Sequence, residues 1–167
     1  MTGCAICAFL AEHWKALAAA TVALMFWGSV WHSYLFHVPW ARAFCADKGV
    51  KDFRGIKMRF GILTCLLGSL VGSFAKATAI LFVANTAPAL FSPLPSCLTA
   101  LYAVVPWLPA RFAVLFAAGL GIHFVQVVSI VPTAMWEQRP ITLIILGLLY
   151  ELSSLKLAAF VLAFLAQ

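Results

Sequence analysis

Four apolar segments, each long enough to cross a bilayer, make up most of this chain. They cover about residues 16–40, 60–85, 111–136 and 140–166. A helix needs about 20 predominantly apolar residues to span the hydrocarbon core. Because lipid offers no hydrogen bonds to the backbone, each segment is expected to be helical. The pattern predicts an all-α fold, in which residues 1–167 form a single polytopic membrane domain, a four-transmembrane-helix bundle.

Two loops of different character separate these segments. Residues 42–59 form a basic loop that holds six of the eleven cations in the chain. These cations are Arg42, Lys48, Lys51, Arg54, Lys57 and Arg59. Loops rich in Lys and Arg stay on the positive side of a membrane, so these residues are predicted to bind lipid headgroups such as cardiolipin. Residues 86–110 form a proline-rich apolar loop, expected to lie in the interface or against a partner.

Composition supports a membrane location and argues against several classes of function. Charged residues make up 10% of the chain, whereas soluble domains carry about 25%. The net charge of +6 arises mainly in the basic loop, so nucleic-acid binding is not predicted. The sequence has no phosphate-binding loop, nucleophile elbow or zinc-protease motif. We therefore expect no enzyme, and no metal site at the lone CxxC pair of Cys4 and Cys7.

Polar side chains inside the predicted spans are the candidate functional residues, because they are costly at that depth. Counted from the side of the basic loop at 1.5 Å per residue, His32 lies at about 12 Å and His123 at about 20 Å. On the same count Gln126 lies at about 15 Å and Glu151 at about 16 Å. These four residues, together with Lys76, form a predicted buried polar layer. Lys76, at about 24 Å, can lean toward Glu151 because helical side chains tilt toward the N-terminus.

Small residues share helical faces with these polar residues. Gly28 and Gly147 each lie four positions before a member of the polar layer, and Gly68 and Gly72 form a GxxxG step. Glycines at such positions let neighbouring helices approach closely in a membrane. The four glycines are therefore predicted to be helix-packing residues.

Three interpretations of the polar layer are open at this point. The first is a hydrogen-bonded seam that determines how the four helices pack. The second is a proton or ion path in which Glu151 carries the charge. The third is haem ligation by His32 and His123, although their depths differ by about 8 Å and nothing in their spacing requires a metal.

The segment 28–40 resembles the GxxWYxxLFGxxW signature of domain of unknown function family 1761. The matching residues are Gly28, Trp31, Leu35, Phe36 and Trp40. His32 stands where the family usually has tyrosine, and His37 where it has glycine. Residues 136–140 and 149–155 are also similar to the family, so the resemblance covers nearly the whole chain. It implies a small four-helix membrane protein and supplies neither an activity nor catalytic residues.

A chain this small, with almost no polar surface, is readily explained as one subunit of a larger membrane assembly. We expect a non-catalytic accessory subunit of a mitochondrial respiratory-chain or ATP-synthase complex, with membrane lipids and other subunits as partners. Five cysteines and the lack of a secretory signal favour the mitochondrial inner membrane, with a bacterial plasma membrane as the alternative. A stand-alone oligomeric transporter or channel, or a lipid- or quinone-binding module, are the other functions considered. Apart from bound phospholipid, no cofactor is expected.

Overall fold

A computed structural model of the chain describes residues 5–52, 61–86 and 111–166, together with residues 105, 107 and 109. All regular elements in these ranges are helical. They are α1 (Ala5–Val30), a π-helical segment (Trp31–Leu35), α2 (His37–Asp47), α3 (Ile62–Thr86), α4 (Arg111–Trp136) and α5 (Ile141–Leu165). Four helices are long and apolar enough to cross a membrane, namely α1 with its π-helical extension, α3, α4 and α5. The chain is thus an integral membrane protein, and the predicted all-α four-span bundle is confirmed.

The first helix begins at Ala5, eleven residues before the predicted start of the first span. The prediction used the charge-free run and therefore stopped short of Glu12 and Lys15. Both residues are exposed within α1, and both are good helix formers, so the helix continues through them. A charged residue limits which part of a helix can lie in lipid. It does not end the helix.

The end of the first span also differs from a simple helix. Five residues, Trp31–Leu35, adopt π-helical geometry, and the N–H of Phe36 donates to the carbonyl of Trp31 at 2.9 Å. Phe36 then leaves helical geometry with φ −126° and ψ 21°, and α2 begins. Pro39 falls in the first turn of α2, where a missing N–H costs nothing. The change of direction at Phe36 lets α2 pack against α5.

The four spans form a ring in which each helix packs against two neighbours. Helix α5 packs against α1 and α4, and α3 completes the ring by packing against the same two helices. The buried core residues lie within four stretches of the chain, namely 16–24, 77–84, 115–118 and 155–166. We call the part of the bundle that holds these residues the closed half. Alanine supplies many of its positions, and small side chains let membrane helices approach closely.

Helix α3 joins the bundle through its second half alone. Every residue from 61 to 72 is exposed, whereas Ala77, Ile80 and Leu81 are fully buried. No atom of a neighbouring element in the described ranges lies within 4 Å of a Cβ built on Gly68 or Gly72. Within the described part of the chain these two glycines meet no other helix, and their packing role remains a prediction. A glycine step permits close approach, but the larger buried side chains further along decide where the helices meet.

The other two predicted packing glycines behave differently from each other. A Cβ on Gly147 likewise meets nothing within 4 Å, so its packing role also remains a prediction. A Cβ on Gly28 lies 3.1 Å from the hydroxyl oxygen of Tyr150, so this glycine does make room for a neighbour. A Cβ on Gly119 would lie 3.2 Å from the side chain of Leu155, so this glycine makes room for a neighbour although the sequence analysis did not predict it.

Parts of both predicted loops lie outside the described residues. These parts are Arg54, Lys57 and Arg59 of the basic loop, and most of the proline-rich loop 86–110. In the described part of the basic loop, Arg42, Lys48 and Lys51 are exposed, and Arg42 and Lys51 line one shallow surface depression. Lys48 pairs with Asp47 at 3.0 Å. Exposed cations are available to headgroups, and the headgroup-binding role remains a prediction.

Candidate functional site

A cavity of about 310 Å³ lies between α4 and α5, outside the closed half. We call the part of the bundle that contains it the open half. Arg139, in the turn between the two helices, lines one end of the cavity. The polar end is lined by His32, His123, Gln126, Tyr150 and Glu151. Between the two ends the wall is apolar, with Ile130, Leu143 and Leu148 among its residues. A volume of this size matches the smaller pockets that hold small molecules in proteins.

Three side chains at the polar end have buried atoms without hydrogen-bond partners among the described residues. These atoms are Nδ1 of His32, Nδ1 of His123 and Oε1 of Gln126. His32 comes from the π-helical segment, and the other two come from adjacent turns of α4. An unpaired buried polar group costs about 1–3 kcal/mol. The amide oxygen is an acceptor, and an imidazole nitrogen is one in the appropriate tautomer. The residues at the polar end of the cavity therefore contain buried acceptors that no described residue satisfies.

An ion pair forms the far side of the polar end. Nζ of Lys76, on α3, lies 2.5 Å from Oε2 of Glu151, on α5. The same ammonium lies 3.4 Å from Oγ of Ser154 and 5.8 Å from the ring centroid of Tyr150. The two side chains are 16% and 28% exposed, so little solvent screens them. Glu151 lines the cavity, and Lys76 approaches it where α3 rejoins the bundle.

Aromatic residues of the 28–40 segment pack around Tyr150 and form one wall of the polar end. The ring centroids of Trp31 and His32 lie 5.9 and 5.3 Å from that of Tyr150. His32 also packs against Trp40 at 5.2 Å, and Gly28 leaves space for the Tyr150 hydroxyl. π-Helical turns are rare and are often found at functional sites. Here the π-helical segment carries His32 to the cavity wall and Trp31 to the ring of Tyr150.

All five residues of the predicted polar layer meet at this site. His32, His123, Gln126 and Glu151 line the cavity, and Lys76 joins them through its ion pair. Their predicted functional role is a separate matter and is not tested by this arrangement. In the described ranges, no three His, Cys, Asp or Glu side chains are grouped so that they could hold a metal ion.

The sequence analysis did not predict two of the polar residues that line the cavity. Tyr150 adjoins Glu151 in the sequence, and a phenol deep in an apolar span is a signal that could have identified it. Arg139 lies in a short turn, and nothing in the sequence indicates that this turn covers one end of a cavity. It pairs with Glu137 at 2.6 Å, and both side chains are about half exposed.

Comparison with known proteins gives one match. A family described as "Protein of unknown function (DUF1761)" matches residues 15–163, a range that includes every cavity residue. No curated protein and no solved structure shows significant similarity to the chain. The match agrees with the resemblance carried by segment 28–40 and attaches no activity to it.

Proposed function

We propose that this chain, which belongs to the DUF1761 family, binds a small amphipathic molecule inside the membrane. The cavity between α4 and α5 is the binding site. The apolar part of the molecule would lie along Ile130, Leu143 and Leu148, and its polar head would lie against His123, Gln126 and neighbouring polar groups. Binding alone describes a lipid- or quinone-binding module, and binding with release on both sides describes a small transporter.

The unpaired acceptors at the polar end are the observation that supports this proposal best. Inside a lipid bilayer, an unpaired hydrogen-bond acceptor has no water molecule to bond with. Such an acceptor therefore favours the binding of a molecule that can donate a hydrogen bond to it. A purely structural seam of hydrogen bonds would pair these groups with one another. Three of them instead surround a space that a small molecule can fill.

A cavity-filling variant tests the proposal. Gly147 lines the cavity, and a Cβ built on it meets nothing within 4 Å, so Gly147→Phe is expected to add a ring to the cavity. Gly72→Phe is the matched control, because Gly72 also has open space but lies away from the cavity. The protein is purified from its native membrane in mild detergent, and native mass spectrometry measures bound small molecules. We expect a bound species in the wild type and in Gly72→Phe, and its loss in Gly147→Phe.

The opposite pattern would contradict the proposal. If Gly147→Phe retained the bound species as well as the wild type does, the molecule would lie elsewhere. If no preparation carried a bound species of small mass, the cavity would not be a binding site under native conditions. Thermal unfolding of both variants in the same detergent serves as the folding control.

A second function, accessory subunit of a larger membrane complex, is favoured by the exposed first half of α3. This surface is free of charge, carries the Gly68–Gly72 step and exposes large apolar side chains such as Leu67 and Val71. We propose that, if the protein is a subunit, this surface contacts the neighbouring one. A mitochondrial respiratory-chain or ATP-synthase complex, with cardiolipin at the basic loop, remains our hypothesis for the host and the membrane.

Native electrophoresis after mild extraction tests the subunit hypothesis. Co-migration with a large complex, lost when Gly68 and Gly72 are both changed to Leu, would support it. Gly147→Leu is the control, because this glycine is equally open and lies outside the exposed surface of α3. Migration as a monomer or small oligomer without other proteins would contradict it and would leave the binding proposal unaffected.

A further inference from the structure

The polar end of the cavity combines one carboxylate with several hydrogen-bond acceptors. The groups available there are the carboxylate of Glu151, the amide oxygen of Gln126 and the ring nitrogens of His32 and His123. A carboxylate accepts only, and the other three atoms can accept. The face of the Tyr150 ring, next to Glu151, also attracts cations through its quadrupole.

The chain itself shows what such a site holds. The carboxylate of Glu151 already binds the ammonium of Lys76, at 2.5 Å, and this ammonium lies 5.8 Å from the ring centroid of Tyr150. Ser154 supplies a further oxygen at 3.4 Å. Carboxylate, hydroxyl and aromatic face together make a coordination environment suited to a primary ammonium group. Glu151 lines the cavity and Lys76 does not. The side of the carboxylate that faces the cavity therefore stays open to a bound molecule.

Charge balance decides how a second cation can enter. Lys76 and Glu151 form a neutral pair in surroundings that screen charge poorly, and an extra positive charge there is unfavourable. An incoming ammonium must therefore replace Lys76 as the partner of Glu151. Lys76 lies where α3 leaves the bundle, next to the exposed residues 61–72. Its long flexible side chain can turn toward that open side when it is displaced.

We propose that the molecule bound in the cavity is an organic ammonium ion with an apolar body, which exchanges with Lys76 for Glu151. The ammonium group donates to Glu151 and to the unpaired acceptors of Gln126 and the histidines. The apolar body lies along the α4–α5 wall toward Arg139. This inference rests on the proposed binding function and narrows it to one chemical class.

The test compares three probes that share a phenylalkyl body and differ in the head group. They are phenethylammonium, 2-phenylethanol and 3-phenylpropanoate, each measured by equilibrium dialysis against the full-length protein in zwitterionic nanodiscs, with empty nanodiscs as the blank. We expect the ammonium to bind about tenfold or more tightly than the alcohol, because its hydrogen bonds are charge-assisted. The carboxylate, repelled by Glu151, is expected to bind weakest.

Two variants test the exchange with Lys76. Lys76→Gln removes the internal competitor, so phenethylammonium is expected to bind about tenfold more tightly. Glu151→Gln removes the anion, so the preference for ammonium over alcohol is expected to disappear. Lys156→Gln is the matched control, since it removes one lysine charge from an exposed position on α5 that does not line the cavity. It should leave all three affinities within about twofold of the wild type.

The outcomes separate this inference from the function on which it rests. If the alcohol or the carboxylate bound as tightly as the ammonium, the cavity would remain a binding site and the ammonium assignment would be wrong. If Lys76→Gln failed to tighten ammonium binding, the exchange would be wrong. If none of the probes bound above the blank, both proposals would fall. Should Glu151→Gln not fold, the neutral double variant Lys76→Gln with Glu151→Gln gives the same comparison, with no ammonium preference expected.

Discussion

The two halves of this bundle are built from the same helices and pack in opposite ways. On α5, Leu155, Ala158 and Leu162 are fully buried in the closed half, whereas Ile145 and Leu149, which precede them on the same helix, are about half exposed. Both stretches are equally apolar. In a membrane, lipid is as apolar as the helix surface, so hydrophobicity does not select which surface is buried. Fit between side chains does, and it is closer in the closed half, where the fully buried side chains of α5 lie.

The polar groups that are energetically unfavourable inside a membrane line the cavity of the open half. His32, His123, Gln126 and Glu151 all belong to it, and Lys76 of α3 reaches it through its ion pair with Glu151. A tight, alanine-rich core can hold the helices in place while a neighbouring region keeps polar groups unpaired. Under the binding function proposed above, stability and binding would be carried by separate parts of one small protein.

The largest expected effect comes from deleting a core side chain in the closed half. Leu155 is fully buried and packs against Gly119, so Leu155→Ala should lower the free energy of unfolding by about 2–4 kcal/mol through the cavity it leaves. Leu149→Ala, on the same helix but 46% exposed, should cost well under half as much. Unfolding by a denaturing detergent, followed by circular dichroism, measures both. Equal costs would mean that the two halves are not packed differently.

An intermediate effect is expected at the boundary between the halves. A double-mutant cycle with Lys76→Gln and Glu151→Gln should give a coupling energy of about 1–3 kcal/mol, because each single change leaves a poorly screened charge without its partner. The double variant should be more stable than at least one of the single variants. A coupling energy near zero would show that the ion pair does not hold α3 against α5.

The smallest effect separates two glycines by their surroundings. Gly119→Ala places a Cβ 3.2 Å from the side chain of Leu155 in the closed half, which should cost about 1 kcal/mol through overpacking. Gly147→Ala meets nothing within 4 Å and should be neutral, or slightly stabilising through its higher helix propensity. The same unfolding assay ranks them. A larger loss at Gly147 would contradict the openness of that half.

Much of the composition of the site could be predicted from the depth of each residue along its helix. Because every helical residue advances by the same rise, depth can be counted from the loops, and the count places His32, Gln126 and Glu151 in one layer. The structure gathers these residues around one cavity. The count says nothing of rotation about the helix axis, so it did not show that Tyr150 faces the same space. Nor did it show that the π-helical segment turns Trp31 toward Tyr150.

The sequence by itself determined how many times the chain crosses the membrane and which residues lie deep within it. Both follow from solvation, because a peptide group in lipid must bond within its own helix and charge is kept near water. The tertiary structure alone decided which helix surfaces meet. Gly68 and Gly72 match a packing motif and meet nothing in the described part of the chain, whereas Gly119 meets Leu155. That choice depends on the shapes of side chains distant in sequence, which no local pattern records.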